Sequence, residues 1–338
     1  MDIKKTLFEL SSAYGAVGVN SASKRAYEIL SKYCECEKSD NNLTVIGRMS
    51  GKSDYTLMLD AHIDEVSAVV TNVDDNGFVT VDKAGGIDIR TLPARPVIIH
   101  GKKDVKAVFC STPPHLAQKE TEYTDISKIK LDTMLGISAK DVISAGDVVT
   151  YCTEPKSLLA NKVTGKSFDD RAGVVCLLEI AERLSKRELP INVVFVLSDA
   201  EELGLRGAKM STFKVMPDEA VAIDVSFGDG PDIPPDECGK LSHGAMIGIS
   251  PVLDIAISKK LTDIAENNKI KYQTEVMGKS TGTNSDVISV TKTGVKTGLL
   301  SIPLRNMHTD AEIIDLDDLI SVCDILEKYI LSGGIANV

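Results

Sequence analysis

The sequence predicts an α/β protein built on a mixed sheet, with a small β-rich domain inserted into it. Three observations predict this. Four short apolar runs, each about as long as a buried strand, stop at residues able to ligate metals. Helical periodicity alternates with such runs in residues 1–65 and again from about 162, the rhythm of an α/β fold. Between them, residues 66–161 hold short β-branched runs broken by turns, and helical periodicity is weak.

The N-terminal part reads as helix, helix, strand. Ile3, Leu7 and Leu10 form one amphipathic stripe, and Asn20 or Ser21 can cap a helix carrying Ala22, Ala26, Ile29 and Leu30. The run 56–61 then leads into His62 and Asp64. In the insert, 66–73 and 78–81 flank Asp75-Asn76-Gly77, a hairpin signal. Runs 97–99 and 106–110 flank another turn, and 148–151 follows Gly146-Asp147. Beyond the insert, Asp169 or Asp170 starts a helix with Val174, Val175, Leu178 and Ala181 on one side. The run 192–197 leads into Asp199, Glu201 and Glu202, and 221–223 into Asp224. Ser250-Pro251 reads as a cap and first helical residue for a helix with Leu253, Ile257, Leu261 and Ile264. The run 299–303 leads by a short loop to His308, and Asp315 caps a last helix with Leu316, Leu319, Ile320 and Cys323 inward. No internal repeat or low-complexity segment stands out.

Bulk properties exclude several classes. A chain of 338 residues has room for a large core and two domains. Its net charge of -11, with no basic stripe, argues against nucleic-acid binding. No apolar run approaches the ~18 residues of a membrane span. The N-terminus lacks the apolar stretch of a secretion signal. Seven cysteines, at 34, 36, 110, 152, 176, 238 and 323, are odd in number and scattered, which fits reduced thiols in the cytoplasm. The sequon Asn42-Leu43-Thr44 is then expected to be silent.

In open α/β sheets ligands bind beyond the carboxyl ends of the strands. Four strand ends bearing His, Asp and Glu therefore point to one shared site. The mix of imidazole and carboxylate suits zinc or a similar divalent ion, and the oxygens are too many for one tetrahedral structural zinc. Each piece has a plainer reading: Asp169-Asp170 as a helix cap, Glu201-Glu202 as a solvated loop, a lone histidine as structural. Capping and solvation do not explain why all of them fall at strand ends. Adjacent Glu201 and Glu202 in an extended segment would point opposite ways, so one can ligate while the other acts as general base. His62 and Asp64 have period-two spacing, so Asp64 can accept a hydrogen bond from the second ring nitrogen of His62. His100, His115 and His243 lack such a setting.

These segments resemble the M42 family of metallo-aminopeptidases, whose best-known members are the tetrahedral (TET) peptidases. The resemblance is carried by Ala61-His62-Ile63-Asp64-Glu65, Ser167-Phe168-Asp169-Asp170-Arg171-Ala172-Gly173, Glu201-Glu202-Leu203-Gly204-Leu205-Arg206-Gly207-Ala208, Ala222-Ile223-Asp224-Val225 and Ser301-Ile302-Pro303-Leu304-Arg305-Asn306-Met307-His308-Thr309. In the insert, Gly85-Gly86-Ile87-Asp88 and Pro113-Pro114-His115-Leu116 match too, so the resemblance covers essentially the whole chain. It implies a di-metal peptidase domain at 1–65 plus 162–338. It also implies an inserted PDZ-like or barrel domain at 66–161 that supports dimers assembling into a tetrahedral dodecamer. His62 and Asp224 would hold one metal, Glu202 and His308 the other, and Asp169 would bridge them. Glu201 would be the general base and Asp64 would orient His62. The implied metals are zinc or cobalt, with manganese acceptable to the same ligands. The implied reaction is removal of N-terminal residues from short peptides. One departure stands out: Thr281-Gly282-Thr283-Asn284-Ser285 occupies the place where the family often has Gly-Gly-Thr-Asp-Ala.

Similar ligand sets also serve amidohydrolases of acylated amino acids, and some relatives carry an endoglucanase label. Glycosidases need two separated carboxylates and usually aromatic platforms. This chain has no tryptophan and 4% aromatic residues. A non-catalytic assembly protein would not need the intact set of Glu201 and ligands.

Overall fold

A computed structural model describes residues 1–38, 43–113, 115–116, 125–231 and 233–336. Asn42 of the sequon and Pro114 of the Pro-Pro-His-Leu segment lie outside the described residues. The chain opens with helices α1 (Ile3–Ser12) and α2 (Ser21–Leu30), then strands β1 (Glu35–Lys38), β2 (Val45–Met49) and β3 (Thr56–His62). A β-rich stretch follows: β4 (Ser67–Val73), β5 (Val79–Ala84), β6 (Pro96–His100), β7 (Asp104–Phe109), β8 (Leu131–Asp132), the short helix α3 (Ala139–Val142) and β9 (Val148–Tyr151). Next come β10 (Lys156–Ser157), β11 (Lys162–Gly165), α4 (Phe168–Leu184), β12 (Asn192–Ser198), α5 (Arg206–Val215) and β13 (Glu219–Phe227). The chain continues with β14 (Ala245–Ile249), α6 (Ile255–Asn268), β15 (Tyr272–Val276), α7 (Ser285–Ile288), β16 (Lys296–Leu304), β17 (Glu312–Asp315) and α8 (Leu316–Leu331). Among the described residues no helix is long and apolar enough to cross a membrane.

The expected α/β class with a mixed sheet holds. Among the described residues, eight strands form one sheet in the order β1-β2-β12-β3-β13-β16-β14-β15. Its centre, β12, β3, β13 and β16, is parallel, and β2 and β14 flank it antiparallel. Strands buried on both faces read as unbroken apolar runs, and β3 and β12 are buried from their second residue onward. Parallel pairing sends their carboxyl ends to one edge of the sheet; Ser198 is level with His62, and Ser301 with Asp224. The core on one face surrounds α4, where Ala172, Val175, Leu178 and Ala181 are fully buried.

The β-rich stretch closes into a barrel, β4-β5-β8-β7-β6-β9, with a core of its own around Val79, Val81, Ile99 and Leu131. The hairpin read at Asp75-Asn76-Gly77 joins β4 to β5. Closure removes the open edges that an antiparallel sheet would otherwise present.

Two local expectations are corrected. The helix expected to begin at Ser250-Pro251 begins at Ile255, because Asp254 is its cap and accepts the Ala256 N–H at 2.8 Å. Ser250 instead donates to the Lys279 carbonyl at 2.9 Å, so Pro251 sits in a turn before the helix. The antiparallel pair β1–β2 was not foreseen, since β1 alternates charged, exposed residues with cysteine and offers little apolar signal.

Directly after β3, Glu65 lies 3% exposed between two buried cations. Its carboxylate meets Lys166 Nζ at 2.6 Å and Arg171 Nη2 at 3.1 Å, and accepts the Gly15 N–H at 2.8 Å. Arg171 also donates to the Leu10 and Ala13 carbonyls, tying the start of α4 to the last turn of α1 and the residue after it. Burial alone would raise the Glu65 carboxyl, but the two cations outweigh it and bring it down to about 2. Removing one partner of such a buried group costs about 3–5 kcal/mol, because the remaining charges are stranded. Glu65→Gln is therefore expected to lower unfolding free energy by roughly 3 kcal/mol or more in urea titrations at neutral pH. A depressed carboxyl stabilises fully above its unfolded value of about 4.3 and loses that contribution as pH falls toward the folded value. The gap between wild type and Glu65→Gln should thus narrow as pH is lowered from about 4.5 toward 2; a gap that stays constant would contradict this account.

Candidate functional site

The strands deliver these side chains to one place, although Asp224 does not end its strand as expected: β13 stays paired with β16 as far as Phe227. His62, the last residue of β3, is buried, and its Nε2 lies 3.0 Å from Asp169 Oδ1 and 3.9 Å from Asp224 Oδ1. Asp224 comes from neighbouring β13. His308, in the loop after β16, places Nε2 at 3.2 Å from Asp169 Oδ2 and 3.3 Å from Glu202 Oε1. The two oxygens of Asp169 thus face two different histidines. Three sets of side chains bring ligand atoms within 4.8 Å of one another: His62, Asp169 and Asp224; Asp169, Glu202 and His308; His62, Glu201 and Glu202. All six residues line one cavity of about 360 Å³.

Asp169 and Asp170 divide the two readings of their segment between them. Asp170 Oδ1 accepts the Gly173 N–H at 2.9 Å and caps the helix. Asp169, with non-helical φ -75° and ψ 108°, turns its carboxylate away to the histidines. Glu201 and Glu202 differ from the extended segment expected for them: they form a turn before α5. That turn rests on Asp64, whose Oδ1 accepts the Glu201 N–H at 3.0 Å and Oδ2 the Glu202 N–H at 3.2 Å. The expected bond from His62 Nδ1 to Asp64 is long, at 3.5 Å, and Nδ1 has no hydrogen-bond partner. Asp64 lies beside His62 as expected, but its hydrogen bonds position the glutamate turn. Asp199, also at a strand end, accepts the Leu43 N–H at 3.3 Å and lies outside these sets.

Two functional neighbours escaped sequence reasoning. Glu312, 2% exposed on β17, accepts the Phe168 N–H at 2.7 Å and the Asp169 N–H at 3.2 Å through one oxygen, and the His308 N–H at 3.0 Å through the other. It clamps the backbone of two site residues at once, and no motif marks it. Gly86, between β5 and β6, accepts a hydrogen bond from His308 Nδ1 at 2.9 Å. A carbonyl can only accept, so Nδ1 carries a proton and Nε2 is the nitrogen turned to the cavity, whose lone pair would be free for an ion once its own proton is displaced. A Cβ at Gly86 would stand 2.5 Å from that nitrogen, so the position needs glycine. The pair Gly85-Gly86 was the available signal.

Charge is crowded here. Burial pushes Glu201 up to about 8; the Glu202, Asp169 and Asp64 carboxylates add to this and His62 opposes it. Burial likewise raises Asp224 well above its usual range, reinforced by Asp170 and Asp169. Burial opposes protonation of His308, yet hydrogen bonds to Asp169 and Glu202 carry it up to about 11. Asp169 is driven down despite burial, because both histidines stabilise its charge. Four carboxylates and two histidines in one cavity form an oxygen-rich donor set with surplus negative charge, which fits divalent cations.

The variant segment 281–285 sits at the cavity wall. Thr281, Gly282 and Thr283 line it, while the Asn284 amide donates to buried Asp60 at 2.6 Å and to Ser198 at 2.9 Å. An aspartate at that position would face Asp60 with a second carboxylate.

Such a fold, with His and carboxylate donors gathered toward the carboxyl ends of parallel strands beside a half-buried glutamate, defines a hydrolase with a clustered metal-ligand site. The M42 glutamyl aminopeptidase family model matches residues 44–325, and the chain belongs to the M42 peptidase family; it is a peptide hydrolase. Lysyl aminopeptidase of Pyrococcus furiosus is 26% identical over 317 residues, covering 91% of this chain and 89% of that protein. The aminopeptidase APDkam598 of the archaeon Desulfurococcus kamchatkensis has a solved structure that superposes with a TM-score of 0.91 at 28% identity, covering 98% of this chain and 95% of that one. The TET1 peptidase of Pyrococcus horikoshii, described as able to assemble into a tetrahedron or a large octahedral shell, superposes at 0.86 with 26% identity, covering 98% and 99%.

Loss of partners that orient metal ligands typically weakens binding about 10–100-fold. Glu312→Ala is expected to lower divalent-ion affinity in that range in a chelator-competition titration, with Glu312→Gln intermediate. Wild-type affinity in both variants would remove Glu312 from this role.

Proposed function

We propose that the protein is a metal-dependent aminopeptidase acting on the free N-termini of short peptides through two divalent ions, zinc or cobalt, with manganese also acceptable. The observation that carries this reading is the carboxylate of Asp169, set between His62 with Asp224 on one side and His308 with Glu202 on the other. Those four residues would hold the ions in two pairs, with Asp169 shared. When bound, such ions polarise a scissile carbonyl and lower the pKa of water.

The chain's own residues supply the rest. Glu201 is not needed for either pair and faces the same cavity. Its carboxylate takes a proton from the attacking water and returns it to the leaving amine nitrogen, as a general base and then acid. Asp64 fixes where that carboxylate stands by holding the backbone of the turn. Carboxylate oxygens left free beside the ions would accept hydrogen bonds from a substrate's α-ammonium group, which disfavours internal peptide bonds and N-acylated substrates. Orientation of His308 by Gly86 makes the barrel stretch part of the site's support.

We further infer a homo-oligomer in which residues 66–161 form dimers that assemble into a tetrahedral dodecamer, by analogy with the TET1 peptidase. The unpaired cysteines fit a cytoplasmic setting.

On metal-reconstituted protein, Glu201→Gln is expected to retain two ions per chain and lose about 10²–10⁴ in turnover of aminoacyl-anilides. Near wild-type turnover would refute its role. Asp169→Ala should no longer bind a pair of ions; two ions per chain in metal analysis of that variant would refute the shared position. Cleavage of N-acetylated peptides as fast as free ones would favour the amidohydrolase alternative.

A further inference from the structure

A second cavity, of about 320 Å³, opens beside the candidate active site. Ser226, Phe227, Ser280 and Thr281 line both, so the two share a wall. Its position follows from strand register. Ser226 lies two residues beyond Asp224 on β13 and therefore faces the same side. Ser301 on β16 is the register partner of Asp224. Glu275, from edge strand β15, reaches across to accept hydrogen bonds from both hydroxyls, at 2.8 Å from Ser301. Its carboxylate thus lies behind Ser226, which lines both cavities, and belongs to none of the ligand sets.

The chemistry of this cavity is one-sided. Its lining includes Asp236, Glu237 and Glu275, and among the described residues no Lys, Arg or His lines it. Asp236 and Glu237 are exposed, whereas Glu275 is half-buried. Burial raises the Glu275 carboxyl and only the two serine hydroxyls counter it; no protein cation is among the groups that act on it. Phe227, Met246, Val276 and Met277 supply apolar wall. A long aliphatic stem ending in a cation matches both parts, because lysine and arginine bury their methylenes and carry charge only at the tip.

Resting on the aminopeptidase reading, we propose that this cavity receives the side chain of the substrate's N-terminal residue and selects lysine or arginine, with Glu275 as the deep acceptor and Asp236 and Glu237 at the mouth. A glutamate side chain would meet three like charges there. A leucine or norleucine side chain would fill the apolar wall and leave Glu275 without a cation, forfeiting a charge-assisted hydrogen bond.

The test compares kcat/KM of the metal-reconstituted full chain on Lys-, Arg-, norleucine- and Glu-anilides. Lysine and arginine should exceed norleucine by about tenfold or more and glutamate by a larger factor, as expected for one hydrogen bond to a charged group. In Glu275→Gln the lysine-to-norleucine ratio should fall about tenfold. A wild-type preference for norleucine or glutamate, or a ratio unchanged in Glu275→Gln, overturns the proposal. Should that variant not fold, the exposed double variant Asp236→Asn with Glu237→Gln decides: the ratio falls severalfold or the proposal fails. If wild type cleaves none of these anilides, the aminopeptidase reading itself fails. The pocket is then judged by calorimetry with free L-lysine and L-norleucine. Tighter lysine binding in wild type but not in Glu275→Gln upholds it, and equal binding overturns it.

Discussion

The structure is organised around a concentration of buried negative charge at one sheet edge. Parallel pairing of β12, β3, β13 and β16 forces their carboxyl ends together, and those ends carry His62, the Glu201-Glu202 turn, Asp224 and the loop to His308. Asp169, from the start of α4, completes the cluster. Carboxylates so close and so dry disfavour one another's charge. The two histidines offset part of that burden, which is why Asp169 stays ionised while burial and like charge push Glu201 and Asp224 up. A divalent cation is the species that would relieve the remainder.

A second group of acids holds the first in place. Asp64, Glu312 and Glu65 are each almost fully buried, and none belongs to the ligand sets. Asp64 and Glu312 accept backbone N–H groups of the ligand-bearing segments, and Glu65 binds the cations that anchor α4. Neighbouring acids in this sequence therefore do different work: Asp64 beside Glu65, Asp169 beside Asp170. Each pair splits into one group directed at the cavity or its glutamate turn and one that secures the chain.

Much of this was legible in one dimension. The apolar runs of β3, β12, β13 and β16 bury both faces and read clearly, and so did the hairpin at Asp75-Asn76-Gly77. His62, Asp169, Glu201, Glu202, Asp224 and His308 were all candidates before any fold was known, and the structure gathers them around one cavity. Less legible were features with weak local signals. Strand β1 has exposed charges in place of an apolar face, and Asp254 outcompeted Ser250 as a cap because both are good acceptors within one turn. The extended geometry expected at Glu201-Glu202 failed because the chain turns there to meet Asp64, an acceptor that lies 137 residues away in sequence.

Local sequence by itself determined which residues could do chemistry and which strands would be buried, since side-chain type and hydrophobic period are properties of short segments. Only the tertiary structure decided how those residues divide their labour. The roles of Asp169, of Glu312 and of Gly86 depend on contacts between segments up to 222 residues apart. The same holds for Glu275, whose carboxylate reaches its serines across strands that meet only in the folded sheet. Distances of 3 Å between groups far apart along the chain are set by packing and register, which no short segment encodes.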